Sequence, residues 1–273
     1  MPDLDVIVEF DKVTKTFHEG TSQAFTAIKD VSFKVHNKPE RGEFVCILGP
    51  SGCGKSTILR LIAGLQPHFP ATAGKVNILG KPASGPGADR GMVFQDYTSF
   101  DNRTVEDNVA FGLECRGMAA AERRELARLW IGKVGLNVTR DAAKYPSELS
   151  GGMRQRVAIA RTLILSPRII LMDEPFGALD PTTRLHMQEL LVDLWKEAQA
   201  TVFFVTHSIE EAIYLGDRVY VFSSAPGTII REMKVPPPTL PPKDALREPA
   251  FVERVSEIRD VMDTLASPTR PGE

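Results

Sequence analysis

The sequence has few cysteines, few aromatic residues, no long apolar run and almost no net charge. Three cysteines among 273 residues are an odd number without metal-like spacing, so we expect free thiols in a reducing compartment. The 33 Lys and Arg residues against 35 Asp and Glu leave a net charge of −2, which gives no basic field for a nucleic acid. With 42% hydrophobic and 25% charged residues, the composition excludes a disordered or fibrous chain.

Membrane-spanning and export segments are also missing from the sequence. The longest apolar stretches, such as residues 169–172 and 202–205, are far shorter than the roughly 18–20 residues that a spanning helix needs. The first residues are acidic and lack the pattern of a signal peptide. We therefore expect a cytosolic protein that reaches a membrane only through a partner.

Two kinds of apolar pattern predict an α/β protein. Residues 6–35 mostly alternate between apolar and polar, as in half-buried antiparallel strands. Residues 44–48, 169–172 and 201–205 are continuous apolar runs, which are typical of parallel strands buried on both faces. The succession of strand, loop, helix and strand implies crossovers onto a parallel sheet.

Helix-forming residues dominate the middle third, about 105–165, which predicts an all-helical insertion. Residues 236–242 are a Pro-rich spacer, and apolar residues at three- and four-residue steps over 251–265 predict an amphipathic tail helix that packs on its own domain. Further helices are predicted at 57–65, 181–200 and 208–214.

The clearest functional motif is a glycine-rich segment between a buried strand and a helix. It fits G-x-x-x-x-G-K-[ST], in which backbone N–H groups and the helix N-terminus hold phosphate, Lys55 neutralises the β and γ oxygens and Ser56 ligates Mg²⁺. A chance match in a chain of this length is about one in a hundred at ordinary residue frequencies. The residues predicted to bind nucleotide phosphate are Gly49, Pro50, Ser51, Gly52, Cys53, Gly54, Lys55, Ser56 and Thr57.

Three further segments carry candidate functional residues. Asp173 and Glu174 end a buried strand, so Asp173 is a candidate Mg²⁺ ligand and Glu174 can orient or deprotonate an attacking water. His207 ends the next buried strand, where it could reach a γ-phosphate, although a lone histidine there is more often structural. Ser150 opens a small-residue turn that can hold a second anion, or it simply caps the helix that follows.

The phosphate loop, the turn at 149–152 and the strand that ends in Asp173-Glu174 occur in an order that resembles the ATP-binding cassette (ABC) family over about residues 8–230. The resemblance implies an α/β P-loop NTPase (RecA-like) fold, with a parallel-sheet core, an N-terminal antiparallel β subdomain and an inserted α-helical subdomain. The implied borders are 6–235 for the ABC ATPase domain, 6–95 and 166–235 for its β subdomain and core, 96–165 for the helical subdomain, and 236–273 for the linker and tail helix.

The resemblance also implies roles for single residues. Phe17 is similar to the aromatic residue that stacks on adenine, and Asp180 to the aspartate that communicates across a dimer. Gln95 matches the glutamine that contacts Mg²⁺ and the attacking water. Glu174 matches the catalytic carboxylate, and His207 the residue that senses the γ-phosphate. The implied cofactors are ATP and Mg²⁺, with the metal bound by Ser56, Gln95 and Asp173.

In this family two copies pair head to tail and enclose two ATP molecules. The helical insertion carries the turn of a chain away from its own phosphate loop, so a second copy must supply the turn. ATP binding would then close the pair, and hydrolysis would reopen it. The residues implied to meet the partner's ATP are Leu149, Ser150, Gly151, Gly152 and Gln155.

Within the family, residues 85–95 and 104–113 are similar to the ATPase subunits of bacterial nitrate, sulfonate and taurine importers. This similarity implies a peripheral subunit at the cytoplasmic face of the inner membrane that couples ATP-driven dimer closure to transport of a small anion. Its partners would be transmembrane permease subunits and, indirectly, an external solute-binding protein, but no nucleic acid. Relatives commonly carry Pro-Trp where Asp101, Asn102 and Arg103 stand here, so the solute stays open.

The sequence leaves alternative functions open and contains two short extra segments. A single-cassette exporter or a lipoprotein-release ATPase is the main alternative, and a DNA-repair or chromosome ATPase would need a long coiled coil that this sequence lacks. A few extra residues near 36–41 and 68–72 are interpreted as surface-loop variation, with a contact to the permease or to a regulator as the alternative.

Overall fold

The structure is a computed structural model that describes residues 6–38, 41–96 and 98–266. The expectations for the acidic start of the chain and for the last seven residues of the tail concern positions outside the described residues. The chain divides into two compact units, one that runs up to Gly87 and resumes at Phe203, and one that spans Ala88–Val202. The subdomain borders implied by the resemblance differ from this division and stay a prediction.

Strands outnumber helices before residue 94 and between residues 169 and 234, and helices predominate between these two stretches and after residue 241. The strands are β1 Val6–Phe17, β2 Phe25–His36, β3 Phe44–Leu48, β4 Ala73–Ile78, β5 Lys81–Pro82, β6 Arg90–Val93, β7 Ile169–Asp173, β8 Thr201–Thr206, β9 Arg218–Phe222 and β10 Ile229–Lys234. The helices are α1 Lys55–Ala63, α2 Val105–Cys115, α3 Ala120–Lys133, α4 Val138–Asp141, α5 Gly151–Leu163, α6 Pro181–Ala198, α7 Ile209–Leu215, α8 Pro242–Ala245 and α9 Pro249–Ala266.

The first unit contains the predicted antiparallel sheet, in the order β2-β1-β4-β5. Strands β1 and β2 pair in a register that places Phe10 opposite Phe33, and the two rings stack with centroids 4.6 Å apart. Buried residues alternate with exposed ones along β2, as the sequence pattern predicts for a sheet with one covered face.

In the same unit β10, β9, β3 and β8 are hydrogen-bonded neighbours in this order. Strands β3 and β9 are parallel, and all five residues of β3 are buried, which confirms the interpretation of its continuous apolar run. Helix α1 starts at Lys55 and ends at Ala63, two residues before the predicted bounds at each end. It stops there because Gly64 adopts the left-handed conformation that caps a helix, with φ of 75°.

The second unit is mainly helical, as predicted for the middle third. Strands β6 and β7 form a parallel pair, and helix α2 packs against α3 and α5. The apolar residues that fill this core include Val109, Ile131 and Ile159, each of which is fully buried. In the part of the chain that the structure describes, no helix combines the length and the apolarity needed to cross a membrane.

The tail packs on the first unit, as the sequence predicts. Helix α9 lies against α7 and buries Phe251, Val255 and Ile258. The hydroxyl of Tyr214 on α7 donates a 3.3 Å hydrogen bond to the carbonyl of Leu240 in the Pro-rich spacer. Apolar burial and this bond together fix the spacer and the tail helix on α7.

Candidate nucleotide-binding site

The phosphate loop connects β3 to α1 and bends through two glycines in the left-handed conformation. Gly52 has φ of 79° and Gly54 has φ of 93°, values that residues with a Cβ rarely adopt. A Cβ on Gly54 would lie 2.7 Å from the carbonyl oxygen of Ala27, so the loop also packs tightly against the start of β2. A glycine loop that leads into a helix N-terminus is the arrangement that binds phosphate through backbone N–H groups.

Lys55 is held at this loop with its ammonium group directed at loop carbonyls. Its side chain is buried, at 4% exposure, and Nζ donates hydrogen bonds of 2.9 Å to the carbonyls of both Gly49 and Pro50. The loop therefore orients a positive charge that can pair with a phosphate oxygen. Cys53 is fully buried, and its N–H donates a 3.4 Å hydrogen bond to Pro50 O within the loop.

The back of the phosphate loop rests on a glycine that sequence reasoning missed. A Cβ on Gly227 would lie 2.0 Å from the carbonyl oxygen of Cys53. The backbone of Gly227 also bonds β2, since its N–H donates to Ala27 O at 2.8 Å and its carbonyl accepts from Lys29 N at 3.0 Å. Only a residue without a side chain fits behind the loop. The Pro226-Gly227 pair is a turn signal, but nothing local connects it to residues 49–57.

Phe17, the predicted adenine-stacking residue, is the last residue of β1. Its ring is half-buried, with the Lys15 ammonium 5.3 Å from the ring centre and the His68 ring 5.1 Å away, edge to face. Stacking on a base requires a ring that is partly accessible and fixed in orientation, and Phe17 meets both conditions.

His207 is exposed and directly follows β8, as predicted. The residues on either side of it are fixed by hydrogen bonds: Thr206 Oγ1 donates to Glu211 Oε2 at 2.6 Å and accepts from Ser208 N at 3.0 Å. Ser208 in turn caps α7 by accepting from Glu211 N at 3.2 Å. The backbone that carries His207 is therefore well anchored, while its imidazole faces solvent.

In the second unit, Asp173 and Glu174 occupy the end of β7. Asp173 is buried at 3% exposure, and Glu174 is half-buried with φ of 44°, the left-handed conformation. That conformation costs a residue with a side chain on the order of 1–2 kcal/mol. Strained backbone of this kind is common at functional sites, where the surrounding structure holds a side chain in one particular direction.

The turn at Ser150 opens helix α5, and in it Ser150 is exposed, Gly151 and Gly152 are half-buried and Leu149 is buried. Ser150 caps the helix, since its Oγ accepts a 3.3 Å hydrogen bond from Met153 N, which confirms the capping interpretation. No heavy atom lies within 4 Å of a Cβ built on Gly151, so space for a ligand is left beside the helix N-terminus. The cap and a second anion are compatible, because several N–H groups of the first turn are free of intrahelical partners.

Gln155 lies on α5 and is fully buried. Its side chain is 0% exposed, and neither amide atom has a hydrogen-bond partner among the described residues. The role at the partner's ATP that the resemblance implies for Gln155 stays a prediction.

Two further predicted residues lie in the second unit. Gln95 is exposed in the loop after β6. Asp180 is also exposed and caps α6, where its carboxylate accepts from Thr182 N at 3.1 Å and Thr183 N at 3.0 Å. Hydrogen bonds from the Thr183 side chain and backbone lower the pKa of Asp180 below its usual value, so this carboxylate stays ionised.

Ser56 in the first unit and Asp173 in the second each carry an oxygen of the kind that binds magnesium. Among the described residues, no group of three or more His, Cys, Asp or Glu side chains could cage a metal. Mg²⁺ usually keeps several waters and binds one or two protein oxygens together with substrate phosphates. The hydroxyl of Ser56 and the carboxylate of Asp173 are ligands of that kind.

Comparisons with known proteins agree with the geometry. The family model described as ABC transporter matches residues 28–177, a range that includes the phosphate loop, the turn at Ser150 and Glu174. The chain is 47% identical over 249 residues to the nitrate import ATP-binding protein of Synechocystis sp., covering 89% of this chain and 90% of the relative. It is 43% identical over 262 residues to the taurine import ATP-binding protein of Rhizobium johnstonii, covering 96% and 91%.

A solved structure extends the comparison to three dimensions. It is a dimeric ATP-binding cassette in a post-hydrolysis state, bound to ADP and phosphate. Its TM-score against this chain is 0.72 at 36% sequence identity, with coverage of 84% of this chain and 99% of the other. The predicted α/β fold with a phosphate loop is therefore confirmed.

Proposed function

Because the chain belongs to the ABC transporter family, we propose that it powers the import of a small anion such as nitrate, a sulfonate or taurine. It is an ATP-binding and ATP-hydrolysing subunit of an ABC importer. The observation that carries the proposal is the similarity to nitrate and taurine import subunits over about nine-tenths of the chain. Neither relative is an exporter subunit by name, so the exporter alternative has no support here.

The phosphate loop is proposed to bind the triphosphate of ATP. Backbone N–H groups at 51–57 surround the phosphates. Lys55 gives up a hydrogen bond to a loop carbonyl and donates to a β or γ oxygen of ATP instead. The buried position of Lys55 supports this role, because a charge-assisted hydrogen bond is strengthened where water is excluded. Phe17 is proposed to stack on the adenine.

Hydrolysis is proposed to depend on residues that follow strands β6, β7 and β8. Glu174 orients and deprotonates the attacking water, Gln95 contacts the same water, and His207 contacts the γ-phosphate. Ser56, Gln95 and Asp173 are proposed to hold Mg²⁺, which supplies charge neutralisation of the β and γ oxygens when it is bound. The strained backbone of Glu174 supports a catalytic role for this carboxylate.

The working unit is proposed to be a head-to-tail pair of chains. The dimeric form of the solved relative supports a dimer. In the proposed pair, the turn of Leu149, Ser150, Gly151 and Gly152, in which Ser150 is exposed, meets ATP on the partner's phosphate loop, and Asp180 contacts the partner. The pair is proposed to bind transmembrane permease subunits at the cytoplasmic face of the inner membrane, and through them an external solute-binding protein.

The catalytic assignment is tested by ATP binding and hydrolysis of the full chain. Glu174→Gln should bind ATP as the wild type does but lose at least about 100-fold in hydrolysis rate, the loss expected when a general base is removed. Lys55→Ala should weaken ATP binding at least about tenfold, since it deletes a charge-assisted bond. Glu189→Gln, the same change at an exposed position of α6, is the control and should hydrolyse ATP normally.

The transport assignment is tested on the complex. A tagged chain that is expressed together with its permease should be recovered from membranes with a polytopic protein, identified by mass spectrometry. ATP hydrolysis by that complex should be stimulated by nitrate or taurine when the solute-binding protein is added. Recovery of the chain without any membrane protein would contradict the importer assignment, and wild-type hydrolysis by Glu174→Gln would contradict the catalytic one.

A further inference from the structure

The segment between α1 and β4, which the sequence suggests is only surface-loop variation, is bonded to the strand that carries Phe17. Thr72 N donates to Thr14 O at 2.9 Å, and Thr72 Oγ1 accepts from Thr16 N at 2.9 Å. The Lys15 ammonium donates to the carbonyl of Pro70 at 2.9 Å. These bonds at three successive positions, 14 to 16, fix the segment against the end of β1.

His68 is the residue of this segment that touches Phe17. The two rings meet at an interplanar angle of 80° with centroids 5.1 Å apart, the edge-to-face geometry that aromatic pairs prefer. His68 Nε2 lies 3.3 Å from Nη1 of Arg60, a residue of α1. His68 therefore connects the ring of Phe17 to the helix whose first residue is Lys55.

The protonation state of His68 follows from these neighbours. An arginine only donates hydrogen bonds, so the contact with Arg60 uses the lone pair of Nε2 and places the ring proton on Nδ1. Burial, together with the charges of Arg60 and Lys15, lowers the pKa of His68 to about 4. The imidazole is therefore neutral at physiological pH, and the contact with Arg60 persists there.

A histidine at position 68 destabilises the fold relative to an apolar ring. Its Nδ1 atom is buried and has no hydrogen-bond partner among the described residues. An unsatisfied buried donor destabilises a protein by about 1–3 kcal/mol, a cost that an apolar ring of similar shape would avoid. A histidine at this position is therefore better explained by the two contacts it makes at once, with a guanidinium and with an aromatic face.

We propose that His68 is a positioning residue for the nucleotide base, because it fixes the Phe17 ring relative to α1 and so to the phosphate loop. The inference rests on the proposed stacking of adenine on Phe17. A base stacks only if its distance from the bound phosphates matches the distance from Phe17 to the phosphate loop. His68 contacts both the Phe17 ring and Arg60 of α1, and α1 begins at the phosphate loop, so His68 sets that distance.

The test compares ATP with inorganic tripolyphosphate, which has the phosphates of ATP but no base. Binding of both to the full chain is measured by calorimetric titration for the wild type, Phe17→Leu, His68→Leu and His68→Phe. His186→Leu, at an exposed position of α6, is the matched control. Melting temperatures confirm that each variant folds, and His68→Gln, which keeps an acceptor but no ring, replaces His68→Leu if that variant does not fold.

For His68→Leu we expect ATP affinity to fall about fivefold, the contribution of one aromatic pair, with tripolyphosphate affinity unchanged. The KM for ATP should rise by a similar factor while kcat stays at the wild-type value. His68→Phe, which keeps a ring against Phe17 but loses the Nε2 contact with Arg60, should recover only part of the affinity. Phe17→Leu should weaken ATP binding by about tenfold or more, and adding His68→Leu to it should cost nothing further.

Different results overturn different parts of the account. If His68→Leu binds ATP as the wild type does while Phe17→Leu does not, the role of His68 is wrong. An equal loss for ATP and tripolyphosphate in His68→Leu would also overturn it, because the effect would then be on the fold of the loop. If Phe17→Leu itself retains full ATP affinity, the proposed stacking fails rather than the link through His68.

Discussion

Two glycines of the phosphate loop provide a matched pair of substitutions whose effects differ for a reason visible in the structure. Both Gly52 and Gly54 have positive φ, so alanine at either costs about 1–2 kcal/mol of conformational strain. A Cβ at Gly52 meets no heavy atom within 4 Å, whereas at Gly54 it would lie 2.5 Å from Ile28 Cγ2 and 2.7 Å from Ala27 O. Overpacking of that kind adds about 1–3 kcal/mol.

Gly54→Ala should therefore lower the free energy of unfolding by about 2–5 kcal/mol, against about 1–2 kcal/mol for Gly52→Ala. Urea unfolding measures the difference, and the comparison holds if both variants unfold with the same dependence on urea concentration, the slope m. ATP affinity should fall further in Gly54→Ala, because relief of the clash moves the loop away from β2 and displaces its N–H groups. Equal unfolding free energies for the two variants would refute the packing argument, and equal ATP affinities would refute its link to phosphate binding.

Three other predictions concern groups away from the phosphate loop. Cys115 is exposed, and the other two cysteines are buried, so a thiol reagent should modify one thiol rapidly in the folded chain and three after unfolding. Asp141 is a buried carboxylate paired with Arg140 and Lys144, which lower its pKa, so Asp141→Asn should be less stable at pH 7 and lose less stability on acidification. Deletion of α9 should lower the melting temperature while leaving ATP affinity unchanged.

These predictions have direct contradictions. Rapid modification of more than one thiol would mean that the core around the phosphate loop opens readily. Because the pKa of Asp141 is lowered, its ion pairs stabilise the folded chain above the ordinary pKa of Asp, and this stabilisation is lost as the pH falls. Parallel curves of stability against pH for Asp141→Asn and the wild type would show that the ion pairs contribute nothing. An unchanged melting temperature without α9 would show that its contact with α7 is not stabilising.

Elements that depend on local patterns could be predicted from the sequence. The buried strands, the helical middle third and the phosphate loop each follow from residues that are neighbours in the chain, through apolar period, glycine and lysine spacing. The predicted end of α1 lies two residues too late, because the cap at Gly64 stops the helix before the apolar pattern ends.

Features that depend on contacts between distant segments could not be predicted. Gly227 supports the phosphate loop across more than 170 positions of sequence, and His68 touches Phe17 only because β1 and the segment before β4 lie side by side. Burial of Gln155 had a usable signal, since it precedes Ile159 and Thr162 at helical spacing and so lies on the buried face of α5.

The central claim is that two chains close on ATP that is bound between them. Light scattering of the purified Glu174→Gln chain, with and without saturating Mg²⁺ and ATP, tests it most directly. The account predicts a mass near the 30.1 kDa of one chain without nucleotide and twice that value with it, and no increase when Ser150→Arg is added to block the turn. A Glu174→Gln chain that stays at the single-chain mass with Mg²⁺ and ATP, alone and with its permease, would contradict the claim.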